Sequence, residues 1–413
     1  MSETYEVTLT TLTYGGDAMG RLPDPLTGAG SRAVFVPFGL PGERVRIRLT
    51  EEKRGFARAE IIEILQASPE RIQPLCKHFG QCGGCHYQHM PYEMQLKVKA
   101  DILHDQLQRI GKIENPPVQP TVASPNPWNY RNHIQFHLND DGKLGFQAPS
   151  SNQIIPISEC HLPKTSINSF WPQLEFESNS GIERASIHAG VDDELMLALE
   201  SDSPETPEIE IEADISVVHI FEDNAVVIAG NDHIMIKVLD RELRVSPNSF
   251  FQVNTSMAEK MVEHLLNRLP ISQSIILDVY CGVGLFSAFL ASKCERLIGI
   301  ESLPSACDDF IINLDEFDNV ELYEALAENV LPVLKIEPDT ILVDPPRSGV
   351  EKEALDAIVK MNPKTIAYVS CDPSTLARDA RRLMDSRYKL LDVTPFDLFP
   401  QTYHIESISF FER

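Results

Sequence analysis

The 413-residue chain has no apolar run long enough to span a membrane, so a membrane-spanning segment is excluded. Its first thirteen residues lack a basic stretch followed by an apolar one, so no secretory signal is expected. Cysteine is sparse, with eight residues; in an unsecreted chain of this length they point to metal or catalytic use, not a disulfide framework. Basic charge is short too. Lys and Arg number 36 against 61 Asp and Glu, a net charge of −25 that argues against a nucleic-acid partner. The deficit is concentrated, however: residues 175–223 hold fifteen acidic residues and one basic residue, Arg184, so this stretch alone carries −14 and the remainder −11. Elsewhere Arg44, Arg46, Arg48, Lys53, Arg54 and Arg58 cluster, as do Arg378, Arg381, Arg382, Arg387 and Lys389. A phosphate backbone responds to such local footprints, although solvated faces have the same composition.

From the N-terminus, residues 5–13 alternate and predict a strand, broken by Gly15, Gly16 and Gly20. Strands are also predicted over 33–37, 44–50 and 57–65, together a small β-barrel ending near Leu65. Cys76, Cys82 and Cys85 follow, with Cys160 remote in ISECHLP. Four thiolates hold zinc or an iron–sulfur cluster; three clustered cysteines plus one distant favour a [4Fe–4S] cluster over the paired spacing usual for zinc. His78, His86, His89 and His161 are ligands by type only, with hydrogen-bonded or surface roles as the alternative.

Met94, Val98, Ile102, Leu103, Leu107 and Ile110 recur at helical spacing, predicting a helix over 92–110 that ends at Gly111. The proline-rich stretch 115–127 must be extended. Strands are predicted over 130–137, 143–147 and 153–157, where Arg131 and His133 alternate with Ile134 and Phe136 and form a polar face for phosphate or solvent. In the acidic stretch, 196–199 and 216–221 read as strands and 201–212 as a loop that repels RNA.

A helix is predicted over 255–269. The strand after it ends at Asp278, and Gly282 and Gly284 turn the chain into the next helix, bringing backbone close to a ligand at the strand's carboxyl end. Glu301 closes the following strand, LIGIE, where a carboxylate suits ribose hydroxyls. A nicotinamide fingerprint needs a third glycine where this chain has Ser287. Residues 319–322 and 340–343 are further strands; the second runs into Asp344-Pro-Pro-Arg-Ser-Gly. Residues 366–370 form a buried strand, and Asp372 and Pro373 begin a helix, so Cys371 sits at a strand exit ahead of a helix N-terminus. The helix dipole there favours a thiolate and Asp372 opposes it; a buried structural thiol is the alternative. Residues 408–411 are a last strand, with His404 and Glu406 on the loop entering it.

The segments YGGDAMGR, VFVPFGLPGERV and ARAEIIEI resemble a TRAM domain, an OB-like barrel of RNA-modifying enzymes. The D-x-x-x-G-x-G turn with Glu301 resembles the S-adenosylmethionine site of Rossmann-like methyltransferases. Together with SFFQVN, DPPRSG, YVSCDPSTLARD and FPQTYHIES, and with the cysteine set, the whole chain resembles the RNA uracil-C5 methyltransferase family, in its iron–sulfur 23S rRNA branch. The resemblance implies an α/β fold: a Rossmann-like methyltransferase domain over 247–413, a TRAM barrel over 1–66 and a central α+β iron–sulfur domain over 67–246, whose helix over 92–111 packs on the catalytic domain. It implies S-adenosylmethionine and a [4Fe–4S] cluster on Cys76, Cys82, Cys85 and Cys160. Its partner is RNA, rRNA first and tRNA as the alternative, and the enzyme is cytoplasmic and monomeric. Cys371 is then the nucleophile, and Glu406 the base with His404 as the alternative. Asp344 orients the base or holds the cofactor end. Gln252, Tyr280, Glu301 and Asp344 are cofactor contacts beside Asp278, Gly282 and Gly284. Leu285 stands where the family usually has Asn, and Phe250 is a stacking partner for a base or a core residue. The competing reading is a non-catalytic iron–sulfur RNA-binding protein.

Overall fold

The computed structural model describes residues 4–23, 31–210, 213–222, 224–270 and 274–413; Glu212 and Asp223, at the ends of the predicted acidic loop and acidic stretch, lie outside them. No described helix is long and apolar enough to cross a membrane.

The N-terminal sheet has six strands, ordered Thr4–Thr8, Arg44–Glu52, Phe56–Gln66, Ser31–Val36, Ala18–Pro23, Thr11–Leu12. Alternate apolar side chains, among them Val34, Val36, Val45 and Ile47, are wholly buried. The single strand predicted over 5–13 is two strands. Between them Leu9 leaves the ladder: its N–H donates to Glu43 O at 2.9 Å and its O accepts from Gly42 N at 2.8 Å. Ala18–Pro23 was not anticipated, because Gly20 reads as a break. Its glycine is required by close approach: a Cβ there would lie 2.5 Å from Val7 Cγ2. Several basic residues of this barrel are paired. Arg44 bonds Glu6 at 2.9 Å, Arg48 bonds Glu60 at 2.6 Å, Arg58 bonds Asp17 at 3.1 Å, and Arg46 bonds Glu63. Exposed pairs of this kind hold within about 1 kcal/mol, so phosphate oxygens compete for them readily.

Helix α1 (Tyr92–Arg109) buries Val98, Ile102, Leu103 and Leu107 in one apolar cluster with Val7 and Val45 of the barrel and Leu376 and Ala380 near the C-terminus. It therefore wedges between the first and last parts of the chain. Its Lys99 is buried and forms an ion pair with Asp397 at 2.6 Å, both side chains essentially inaccessible.

A second seven-stranded sheet runs Asn224–Ala229, Ser216–Phe221, Leu195–Ser201, Ile182–Ala189, His133–Leu138, Leu144–Gln147, Ile154–Pro156. The alternation expected around His133 holds, with Ile134 and Phe136 buried and His133, Gln135 and His137 partly exposed; on that polar face His133 stacks on His188 with ring centroids 4.1 Å apart, and Gln135 donates to Glu200 at 2.8 Å. A hairpin, Ile234–Val238 with Arg241–Val245, leads to helix α2 (Thr255–Arg268).

The C-terminal sheet comprises β1 (Ile275–Val279), β2 (Arg296–Glu301), β3 (Val320–Glu324), β4 (Thr340–Val343), β5 (Thr365–Ser370), β6 (Lys389–Phe396) and β7 (Glu406–Glu412), ordered β3-β2-β1-β4-β5-β7-β6. The first five are parallel; β7 is antiparallel to β5 and β6. Glu406 is the first residue of β7, not part of the loop before it. Strand β6 carries Asp392 and Pro395, a pattern that hides it from periodicity; as an edge strand it tolerates the proline. Helix α3 (Pro373–Asp385) starts as expected: Asp372 Oδ1 accepts from Ser374 N at 2.8 Å and Thr375 N at 3.0 Å.

Removing one partner of a buried ion pair strands the other charge. Lys99→Ala should therefore cost about 3–5 kcal/mol. Asp101→Ala, which removes an exposed partner of Lys97, should cost less than about 0.5 kcal/mol. Urea unfolding of the two variants checks the contrast.

Candidate active site at the carboxyl edge of the sheet

Parallel strands β1, β4 and β5 end on one edge, and their exits carry Asp278, Asp344 and Cys371. Asp344 N donates to Val279 O at 3.1 Å, which ties the second exit to the first. Strand β7 runs the other way, so its beginning lies at that same edge. Its register pairs Ser407 with Ser370. One step further the ladder ends, with Glu406 at the start of β7 across from Cys371 just past β5, and the Glu406 charge acts on the thiol. Thirty-five positions of chain separate the two residues; the antiparallel ladder joins them.

The site is dry and acidic. Glu406 is 3 % exposed, and burial together with Asp344 pushes its carboxyl well above the usual range, with Arg347 pulling the other way. Burial and the charge of Asp278 push Asp344 up to about 7. The Cys371 thiol is pushed up to about 12, by burial first and then by Glu406 and Asp344, with Arg347 opposing them and Asp372 adding to the rise. His404 is held down at about 3, by burial first and then by Arg347, His86, Lys99 and Arg131. Its ring packs on Tyr403 at 4.4 Å and Phe399 at 5.5 Å, as a neutral aromatic.

On the β1 side the chain forms a cradle. Tyr280, Gly282 and Gly284 all have positive φ (64°, 53° and 90°). A Cβ on Gly284 would lie 2.5 Å from Leu314 Cδ1, whereas one on Gly282 would meet open space. Glu301 clasps the turn: one oxygen accepts from Gly282 N at 3.0 Å, the other from Ser302 N at 2.6 Å and Leu303 N at 2.8 Å. Asp278 is inaccessible, and burial first, then Glu301, push it up to about 7. Its Oδ2 accepts from Ser287 Oγ at 2.6 Å, while among the described residues its Oδ1 has no partner. Open space beside a bent backbone and an orphaned carboxylate oxygen fit a polar ligand at this turn. Leu285 is buried in the apolar core and offers no polar contact.

Gln252 is 5 % exposed, yet Phe250, two residues earlier, is 67 % exposed. This segment is held by Asp309, a carboxylate the sequence reading overlooked. It accepts from Ser246 N at 2.7 Å, Ser246 Oγ at 2.8 Å, Ser249 Oγ at 2.7 Å and Arg244 Nε at 2.9 Å. Phe250 is thus a ring presented to solvent, not core.

The segment of the three clustered cysteines docks beside the stretch that carries Cys160, and all four thiols are free. Cys85 and Cys160 are pushed up to about 12, by burial first; the charges of Cys160, Cys82 and Cys76 add to the rise at Cys85, and those of Cys82 and Cys76 to the rise at Cys160. Gly83 N donates to Gln147 O at 3.0 Å and Lys77 N to Glu159 at 2.9 Å, which docks the cysteine segment beside Cys160. Gly84 N donates to Cys82 Sγ at 3.4 Å. Among the described residues no three His, Cys, Asp or Glu side chains gather as a single metal ion requires. The four histidines have other partners. His78 bonds Ser158 at 3.2 Å, His161 lies 3.6 Å from Glu159, His86 packs on Tyr403 at 4.5 Å, and His89 packs on Phe79 at 5.6 Å. The [4Fe–4S] expectation therefore rests on the four thiols alone.

Sequence reading missed Arg347, whose charge reaches Cys371, Glu406 and His404, although it lies inside the DPPRSG segment. It also missed Asp379, which braces that segment by accepting from Val350 N at 3.1 Å and Tyr368 OH at 2.9 Å. No local signal marks such a brace.

With this geometry in view, comparison with known proteins is specific. A family described as tRNA (Uracil-5-)-methyltransferase matches residues 188–413, and the TRAM domain matches residues 2–62. An RNA methyltransferase of Halalkalibacterium halodurans is 33 % identical across 100 % of this chain and 97 % of its own length. One of Caldanaerobacter subterraneus subsp. tengcongensis is 32 % identical across 100 % of this chain and 99 % of its own. The structure of Pyrococcus abyssi tRNA (uracil-54, C5)-methyltransferase in complex with S-adenosyl-L-homocysteine shares the fold, with TM-score 0.74 and 24 % identity over 98 % of this chain and 100 % of that one. A glycine-turn cradle, a strand-exit cysteine and a facing glutamate thus lie within an RNA methyltransferase: the chain belongs to the tRNA (uracil-5-)-methyltransferase family, with a TRAM domain at its N-terminus.

Proposed function

We propose that the protein methylates C5 of a uridine in 23S rRNA, with Cys371 as nucleophile and Glu406 as base. The observation that carries this reading is the register placing Glu406 across from Cys371 at the edge that also holds the glycine turn. C5 of uracil is a poor nucleophile, being conjugated with a carbonyl. The Cys371 thiolate adds to C6, forming a C–S bond and sending the electron pair into an enolate; C5 would then take the methyl group as the methyl–sulfur bond of the donor breaks, releasing a neutral thioether. S-adenosylmethionine supplies that methyl on a sulfonium bearing one positive charge. Glu406 removes the remaining C5 proton, the C5–C6 double bond re-forms and the thiolate leaves. Gln252, Asp278, Tyr280, Gly282, Gly284, Glu301 and Asp344 are the residues that would hold the methyl donor. Phe250, exposed at the rim, stacks on a base of the RNA once the target uridine has left its stack.

The three units are residues 1–66, 67–246 and 247–413, and Cys76, Cys82, Cys85 and Cys160 bind the [4Fe–4S] cluster. Uridine in tRNA is the second reading, favoured by the Pyrococcus abyssi neighbour, a tRNA (uracil-54, C5)-methyltransferase. Mapping 5-methyluridine in both RNAs from cells with and without the protein separates the two. An unchanged pattern in both would overturn the proposal.

Cys371→Ala should abolish methyl transfer. Glu406→Gln should instead accumulate a protein–RNA adduct that survives denaturing electrophoresis, because the C5 proton stays in place. Retained activity in the first variant would rule out the covalent route.

At pH 7 a thiol raised to about 12 is protonated. A positive charge beside it favours the thiolate and lowers that value. Alkylation of Cys371 by iodoacetamide at pH 8 should therefore accelerate with a charged, non-transferring analogue of S-adenosylmethionine and respond less to neutral S-adenosylhomocysteine. Peptide mass spectrometry reads the rate.

Purified without oxygen, the protein should be brown and contain iron and acid-labile sulfide, both lost in Cys160→Ala. Stoichiometric zinc without iron would sink the cluster assignment.

A further inference from the structure

One group at the nucleophile's helix end comes from the opposite end of the chain. The barrel turn at residues 13–17 closes with Thr13 N donating to Asp17 O at 2.9 Å and Gly16 N to Thr13 O at 3.1 Å. Gly15 and Gly16 have φ of 103° and 93°, so the turn tolerates no ordinary side chain at either position. The turn also presses on the C-terminal loop: a Cβ on Gly16 would lie 3.4 Å from the Cβ atoms of both His86 and Tyr403. From this turn Tyr14 donates its hydroxyl to Asp372 Oδ2 at 2.9 Å, and its ring meets Tyr403 edge-on with centroids 5.9 Å apart. Burial first, then Asp372, keep the Tyr14 proton in place, so the hydroxyl is a donor at any working pH.

Asp372 divides its oxygens. Oδ1 caps helix α3 through Ser374 N and Thr375 N, and Oδ2 receives Tyr14. The carboxylate is thereby fixed in rotation, one residue from Cys371. Its charge already works against ionisation of the thiol. A hydrogen bond into Oδ2 draws that charge away. The other charged groups acting on Cys371 come from two places: Glu406 on β7, and Asp344 and Arg347 after β4. None of them contacts Asp372 in place of Tyr14.

We infer that Tyr14 is a positioning residue for the nucleophile: a hydroxyl supplied by the TRAM barrel clamps Asp372 and thereby holds the end of α3 that aims Cys371. The inference rests on Cys371 being the nucleophile. It makes the barrel part of the catalytic apparatus as well as a surface for RNA.

The test is Tyr14→Phe in the full-length protein, which keeps the ring and its packing and removes only the donor. The pH profile of Cys371 alkylation, read by peptide mass spectrometry without RNA, should shift up by roughly half a pH unit, about threefold in thiolate at a fixed pH. In methylation, kcat should fall by a similar factor with KM for RNA unchanged, and the thermal unfolding midpoint should stay within a degree or so of the parent's. In an Asp372→Asn background the same substitution should leave the alkylation profile where it was. An unmoved profile in Tyr14→Phe, or a shift that persists in the Asp372→Asn background, overturns the inference. A shifted profile in a protein whose Cys371→Ala variant still methylates RNA would leave the clamp standing and remove the nucleophile reading instead.

Discussion

The Lys99–Asp397 ion pair is the constraint on which the rest of the site depends. Its partners meet at 2.6 Å without access to water, one from α1 and the other from the connection between β6 and β7. Lys99 Nζ also donates to Phe399 O at 3.0 Å, so one ammonium holds two points of that connection. Gln95, one helical turn earlier, exchanges hydrogen bonds with Gln401 at 2.9 and 3.0 Å. His86 N and Tyr87 N both donate to Gln401 O, and Tyr130 OH donates to Pro400 O at 3.1 Å. Gln401 is held at φ 69°, a conformation a non-glycine residue keeps only when its surroundings over-determine it. Five residues later the chain reaches Glu406. The loop that leads into the proposed base is thus anchored by contacts from α1 and the cysteine segment, in addition to the strand pairing that holds Glu406 itself.

The charges of the site form a second layer of design. Asp278, Asp344, Glu406 and Cys371 lie at one edge, and each is driven toward its protonated form by burial and by an acidic neighbour. Such a set is poorly suited to bind an anion and well suited to receive a cation. A sulfonium arriving beside it offsets the mutual repulsion, so binding and activation are coupled through the same charges. Arg347, which already opposes the repulsion, is exposed at the rim where RNA phosphate would reach it. Arg44, Arg46, Arg48 and Arg58 of the barrel are engaged with Glu6, Glu60, Glu63 and Asp17, so the local basic cluster is balanced within its own sheet.

Where sequence reading succeeded, the signals were local. The glycine turn after Asp278, the Asp372–Pro373 helix start and the strand before Cys371 are each set by neighbours a few residues apart, and each stands where the pattern predicts. It failed where backbone approach or edge position overrides pattern. Gly20 looked like an interruption and is instead the residue that lets two strands close up. Strand β6 hid behind Asp392 and Pro395.

The sequence by itself determined which chemical groups are available and the local geometry at each strand exit, because turn, cap and strand preferences act over a few residues. Only the tertiary structure decided which of these groups meet. The antiparallel register of β7 sets Glu406 across from Cys371, the buried pair at Lys99 anchors the loop before it, and the barrel turn brings Tyr14 to Asp372 across 358 positions of chain. Those contacts arise from packing between segments distant in the chain, and no window of sequence contains both partners.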